Sequence, residues 1–167
     1  MNAFKNEIFL NDAMNKHGDE VYRLALCRLQ NKTDAEDVYQ EVFLKLFSTK
    51  TEFKDDEHLK AWLLRVTINK CCDLRRCAWF KNKTLLENEI VSEMPDEYID
   101  LWQSISVLSK DLRTVIWLHY VEGYKTEEIS QILKCNPSTV RTKLYRARKK
   151  LRKDLEVMKD ETCYQFK

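Results

Sequence analysis

"EISQILKCNPSTVRTKLYRARKKLRK", Glu128 to Lys153, is the stretch on which the reading of this chain turns. Ile129, Ile132 and Leu133 lie at helical spacing, and the run is then cut by Asn136-Pro137-Ser138-Thr139. Asn136 can cap a helix, and Pro137 suits a first helical position, where its fixed φ is already helical and its missing N–H would have had no partner. Val140, Leu144, Ala147 and Leu151 follow at steps of four, three and four, which marks one buried helical stripe. The stretch is helix, short turn, helix. Just upstream, Gly123 ends an earlier helix and Thr126 is placed as the next N-cap, with Glu127 and Glu128 in the first turn, where the helix dipole favours acids.

The second of these helices carries eight basic residues from Arg141 to Lys153 and no acid. At about 100° per residue, the side opposite Val140 and Leu144 holds Ser138, Thr142, Tyr145 and Lys149, flanked by Arg141, Arg146 and Arg152. Hydroxyls near a helix start with cations beside and behind them suit a major groove, since the early residues reach base edges and the Lys and Arg neutralise phosphates. A solvated face explains most basic runs. Here the absence of interleaved acids, against mixed charge elsewhere in the chain, favours DNA.

Composition narrows the rest. The 167 residues include only 2 Gly and 2 Pro, and 34% are charged with a net charge of +2, so the distribution of charge says more than its sum. Abundant Leu, Lys, Glu and Arg point to an all-α chain. The segment "LLENEIVSEMPDEYID", Leu85 to Asp100, has six acids, no base and the helix breaker Pro95, and reads as a linker. The expected organisation is a helical domain over 1–80, a linker over 81–97 and a helix-turn-helix domain over 98–167. No apolar run approaches the roughly 18 residues of a membrane span, and no secretory signal opens the chain, so no stable membrane insertion and a cytoplasmic location are expected.

Cys27, Cys71, Cys72, Cys77, Cys135 and Cys163 form no CxxC pair and read as free thiols, with no metal site supported by their spacing to His58 or His119. No phosphate-binding Gly-rich loop, HExxH or triad pattern is present, so neither an enzyme nor a cofactor is expected.

Two N-terminal blocks remain. In "DAEDVYQEVFLKLF", Asp34 to Phe47, the residues Ala35, Val38, Val42 and Leu46 share one side with Tyr39 and Phe43 beside them, while Asp37, Gln40, Glu41 and Leu44 face the other way. A Leu among acids is either a tolerated exposed hydrophobe or the apolar centre of a protein-binding patch. In "FKDDEHLKAWLLRVTINKCCDLRR", Phe53 to Arg76, a charged loop of Lys54, Asp55, Asp56 and Glu57 precedes a helix with Trp62, Leu63 and Val66 as core contacts and Asn69, Lys70, Asp73, Arg75 and Arg76 toward its end.

Together with Val115 to Arg152, these blocks resemble, in the right order, the conserved segments of extracytoplasmic-function sigma factors, the minimal two-domain members of the sigma-70 family. The resemblance implies that Asp37, Gln40, Glu41 and Leu44 dock on the coiled coil of the largest RNA polymerase subunit. It also implies that the Lys54 loop and the helix after it hold a base flipped from the melted minus-ten element, with Lys70, Arg75 and Arg76 on phosphates and Asn69 as a polar contact, and that the helix-turn-helix reads the minus-thirty-five duplex. Core polymerase, promoter DNA and a candidate anti-sigma factor are the implied partners. One departure is visible: the family usually has Gly in the turn where this chain has Lys134, and a left-handed conformation there would cost Lys about 1 kcal/mol relative to Gly. Two rivals stand beside this reading: a stand-alone helix-turn-helix regulator, which predicts a homodimer on a palindromic site, and a protein-only helical adaptor.

Overall fold

The computed structural model describes the backbone of residues 2–77 and 95–164 and the side chains of residues 6–74 and 95–154. The described residues form seven helices: α1 (Asn2–Leu29), α2 (Lys32–Ser48), α3 (Asp56–Cys77), α4 (Asp96–Ser106), α5 (Lys110–Tyr120), α6 (Thr126–Leu133) and α7 (Pro137–Tyr164). No strand occurs among them, and none of these helices is long and apolar enough to cross a membrane. The chain divides into two compact units, Met1–Asp96 and Glu97–Lys167. The greater part of the expected linker lies outside the described residues, and α4 begins at Asp96, directly after Pro95, which is well placed to precede a first turn.

In the first unit α1, α2 and α3 pack against one another in all three pairings. The core joins Val21, Leu24 and Ala25 of α1 to Val38 and Val42 of α2 and Leu63 and Leu64 of α3, all buried. Thr67 is also buried, and its hydroxyl is satisfied by donating to the Leu63 carbonyl at 2.8 Å. Only Gln30 and Asn31 separate α1 from α2. Gln30 takes a positive φ of 51°, and Asn31 is extended and caps α2 by accepting from the Asp34 N–H at 2.8 Å. Gly18 lets α2 approach closely, since a Cβ there would stand 3.0 Å from the Tyr39 hydroxyl.

The second unit is built around α5, whose Val115, Ile116, Trp117 and Leu118 are all buried. Tyr98 and Trp102 pack on Trp117 with ring centroids at 5.8 and 6.5 Å. Arg113 is buried too, and its guanidinium donates to the Ser106 and Leu108 carbonyls, which closes the turn between α4 and α5. The helix-turn-helix is α6 and α7. The expected cap moves by one residue: Lys125 is the N-cap and Thr126 the first helical residue, because the Glu128 carboxylate reaches back to accept from the Lys125 N–H at 2.7 Å.

Pro137 opens α7 as expected. Between the two helices Lys134 stands at φ 52°, ψ 49°. Its N–H donates to the Gln131 carbonyl at 3.3 Å, and the Cys135 N–H to the Ser130 carbonyl at 3.0 Å. This is a Schellman turn with Lys where Gly is usual.

Candidate nucleic-acid and protein interfaces

The buried stripe of α7 consists of Val140, Leu144 and Ala147, with Leu151 half-buried. Ser138, Arg141, Thr142, Tyr145, Arg146, Lys149 and Arg152 are therefore all exposed, Tyr145 by 64% despite its size. The hydroxyl of Thr142 donates to the Ser138 carbonyl at 2.9 Å, so outward it offers lone pairs and a methyl group. Arg141 lies 3.6 Å from the Glu127 carboxylate in the first turn of α6, an exposed pair of small energetic weight that still biases where the guanidinium points.

Two of the eight cations have partners on α5. Lys143 pairs with Asp111 of α5 at 3.8 Å. Arg148 donates to the Tyr120 hydroxyl at 2.8 Å and lies over that ring at 5.6 Å from its centroid. These two tie α7 to α5 and leave Arg141, Arg146, Lys149, Lys150, Arg152 and Lys153 on the exposed side.

On the first unit, Lys54 is exposed in a loop that is firmly built. Asp55 caps α3 by accepting from the His58 N–H at 2.7 Å, and the Lys54 N–H donates to His58 Nδ1 at 3.2 Å. Phe53 sits among Phe9, His58 and Trp62, with centroids at 6.2, 5.6 and 5.4 Å. Leu63 and Val66 are buried as expected, whereas Trp62 is only half-buried, its ring turned to Phe53. Asn69 is exposed. Lys70 is half-buried, and its ammonium lies 2.7 Å from Glu41 of α2. Thus two residues expected to serve different partners are paired with each other. The side chains of Arg75 and Arg76 lie outside the described residues.

Asp37, Gln40, Glu41 and Leu44 are all exposed on α2, Leu44 by 67%. Gln40 and Leu44 also form one wall of an apolar groove, with Phe43 and Phe47 beside them and Leu10 and Met14 of α1 opposite. Tyr39 lines the same groove, and burial, reinforced by the charge of Asp19, pushes its phenol above the usual range. The contribution of α1 was not legible from α2 alone. The signal available was the i, i+4 pair Leu10 and Met14 next to a second stripe of Ala13, His17 and Val21, all three buried. Ile8 and Phe9 of α1 are also exposed, by 56% and 42%.

Among the described residues no cluster of His, Cys, Asp and Glu could hold a metal ion, and Cys27, Cys71, Cys72 and Cys135 form no disulfide there.

Residues 13–81 match the family model of sigma-70 region 2, and residues 98–151 match that of sigma-70 region 4. RNA polymerase sigma factor SigV of Bacillus subtilis is 31% identical over 142 residues, covering 81% of this chain and 84% of that protein. ECF RNA polymerase sigma factor SigW of the same organism is 28% identical, covering 86% and 87%. The solved structure of CnrH in complex with the cytosolic domain of CnrY is similar at a TM-score of 0.68 and 25% identity, over 93% of this chain and 92% of that one.

Proposed function

This chain belongs to the extracytoplasmic-function sigma factors of the sigma-70 family, which direct RNA polymerase to promoters, and from that premise we propose which surfaces carry the task. The groove walled by Gln40 and Leu44, with Asp37 and Glu41 on its polar side, docks on core polymerase. The Lys54 loop and Asn69, with Arg75 and Arg76, meet the melted minus-ten element. The exposed side of α7 enters the minus-thirty-five major groove, with Ser138, Arg141, Thr142 and Tyr145 toward base edges and Arg146, Lys149 and Arg152 along phosphates. The region before the linker, about 1–80, would serve polymerase and the minus-ten element, and 98–167 the upstream duplex.

The observation that carries this reading is a pair of unlike surfaces on two compact units: an apolar groove on one, and on the other a helix face with exposed hydroxyls and cations and, from Ser138 to Lys153, no acid. Such surfaces suit a protein partner and a nucleic acid respectively. Lys70 takes a different part from the other cations, since its ion pair with Glu41 supports a role in bracing α3 against the docking helix. No catalytic group is assigned to this chain, so nucleotide chemistry stays with the polymerase. An anti-sigma factor that covered the groove would compete with polymerase for it. CnrH, of similar fold, is solved with a protein partner.

Run-off transcription by core polymerase on promoter fragments, with and without the chain, tests the reading. Promoter-dependent transcripts are expected only with the chain present. A homodimer that binds a palindromic duplex and leaves core polymerase unaffected would instead establish the stand-alone regulator.

A further inference from the structure

His17 lies in the middle of α1, on the same stripe as Ala13 and Val21, and is only 5% exposed. An apolar residue would fill such a position without leaving a polar atom to satisfy. Yet the ring is there, and its Nδ1 has no hydrogen-bond partner among the described residues. Its partner among the described residues is Asp56, whose Oδ1 lies 3.1 Å from Nε2 and which is 39 positions away in sequence. The neutral tautomer that donates from Nε2 fits this geometry. Lys16 adds a second, looser hold on the same carboxylate at 3.9 Å.

Asp56 is the first residue of α3, and its side chain is about half-exposed, so the contact is not needed to bury the acid. Nor is it needed to cap the helix, because Asp55 already does that. What the contact does is fix the point where the loop becomes helix. On the other side of that loop, Phe53 stacks on Phe9 of the same helix α1, with ring planes 20° apart. The two grips enclose Lys54 and Asp55, which stay exposed.

We infer that His17 is a positioning residue for minus-ten recognition: from inside α1 it holds Asp56, and with Phe53 on Phe9 it presents the Lys54–Asp55 segment to the separated strand. This rests on the proposed assignment of that loop to the minus-ten element. A loop clamped at both ends loses little freedom when it receives a flipped base, so the base is discriminated by fixed contacts instead of by a segment that adapts to any of them.

The test uses the full chain with core polymerase on templates pre-melted across the minus-ten region and carrying each of the four bases at the recognised position. His17→Leu should keep helicity and affinity for core polymerase, and lose discrimination between correct and incorrect bases by about tenfold, the size expected when a charge-assisted hydrogen bond is removed. His17→Gln, whose amide can still donate to Asp56, should recover most of it. Asp56→Ala should lose as much as His17→Leu, and the double substitution no more than either, as two ends of one contact require.

Unchanged discrimination in His17→Leu overturns the inference. So does a loss that merely follows falling melting temperature and that Gln does not rescue, since that describes a structural histidine. Lys54→Ala separates the inference from its premise. If it alters discrimination and His17→Leu does not, only the positioning role fails; if neither alters it, the loop is not the reader and both fail.

Discussion

Lys134 shows most directly how far a single side chain can sit from the residue its backbone would prefer. At φ 52° and ψ 49° its Cβ crowds the backbone, and only the Schellman turn between α6 and α7 holds it there. Lys134→Gly should therefore stabilise the C-terminal unit by up to about 0.5 kcal/mol, the strain relieved less the extra freedom Gly gains when unfolded, and raise Tm by a few degrees. Thermal unfolding followed by circular dichroism checks this; a lower Tm for the Gly variant would mean that the lysine stem is worth more than the strain.

Leu44 is the opposite case, a residue comfortable in its backbone but placed in water, 67% exposed. Leu44→Arg should leave helicity and Tm within the small range of surface changes and abolish binding to core polymerase, because it replaces the apolar centre of the groove by a charge that docking would have to desolvate. Pull-down of core enzyme at wild-type strength by the folded variant would contradict the docking assignment. The exposure of Leu44 could be read from helical period, since it falls opposite Val38 and Val42. The conformation of Lys134 could only be suspected from a residue out of place, and the shift of the α6 cap to Lys125 depends on a carboxylate rotamer that no pattern encodes.

In α7 the period again gave the right faces, and all seven residues expected outward are exposed. What it could not give is which cations turn back: Lys143 finds Asp111, and Arg148 finds Tyr120 across 28 positions, and such partners exist only after folding. The same limit applies to Lys70, whose Glu41 partner lies on another helix, and to α1, where two adjacent stripes, one for the core and one for the groove, blur a single amphipathic signal.

The faces of α7 lead to a division of labour along its length. Arg141→Ala should relax preference at one or two positions of the minus-thirty-five element, by about 1 to 3 kcal/mol of discrimination for a bidentate guanine contact. Lys150→Ala should weaken all duplexes about equally and reduce the salt slope by roughly one unit. A randomised-site selection in which Lys149 to Lys153 substitutions shift the preferred sequence, while Ser138, Arg141, Thr142 and Tyr145 substitutions do not, would reverse the assignment.

The chain as a whole joins two compact units, each of modest size and each with its own core: Leu24, Val38 and Leu63 in one, Trp102, Ile105 and Trp117 in the other. Separate cores mean that either surface can be tested without the other. The second unit alone, residues 97–167, should bind minus-thirty-five duplex weakly, because one short helix-turn-helix face offers few base contacts and most of its attraction is to phosphate. That attraction is paid for by released counterions, so the affinity should fall steeply with salt, with a slope of about −0.9 for each phosphate neutralised. Six cations without a partner on α5 stand on the exposed side of α7, so these can contribute a slope of roughly −5 if each meets a phosphate. When the first unit is anchored on polymerase at the same promoter, the second meets its duplex at the effective concentration set by the tether, and weak intrinsic binding becomes sufficient. Titrations of the isolated unit at several salt concentrations, set beside holoenzyme on the same promoter, check both halves of this expectation. Affinity of the isolated unit that stays level as salt rises would exclude phosphate as the main contact. Holoenzyme that gains nothing from an intact minus-thirty-five element would show that the tether does not bring the two surfaces to bear together.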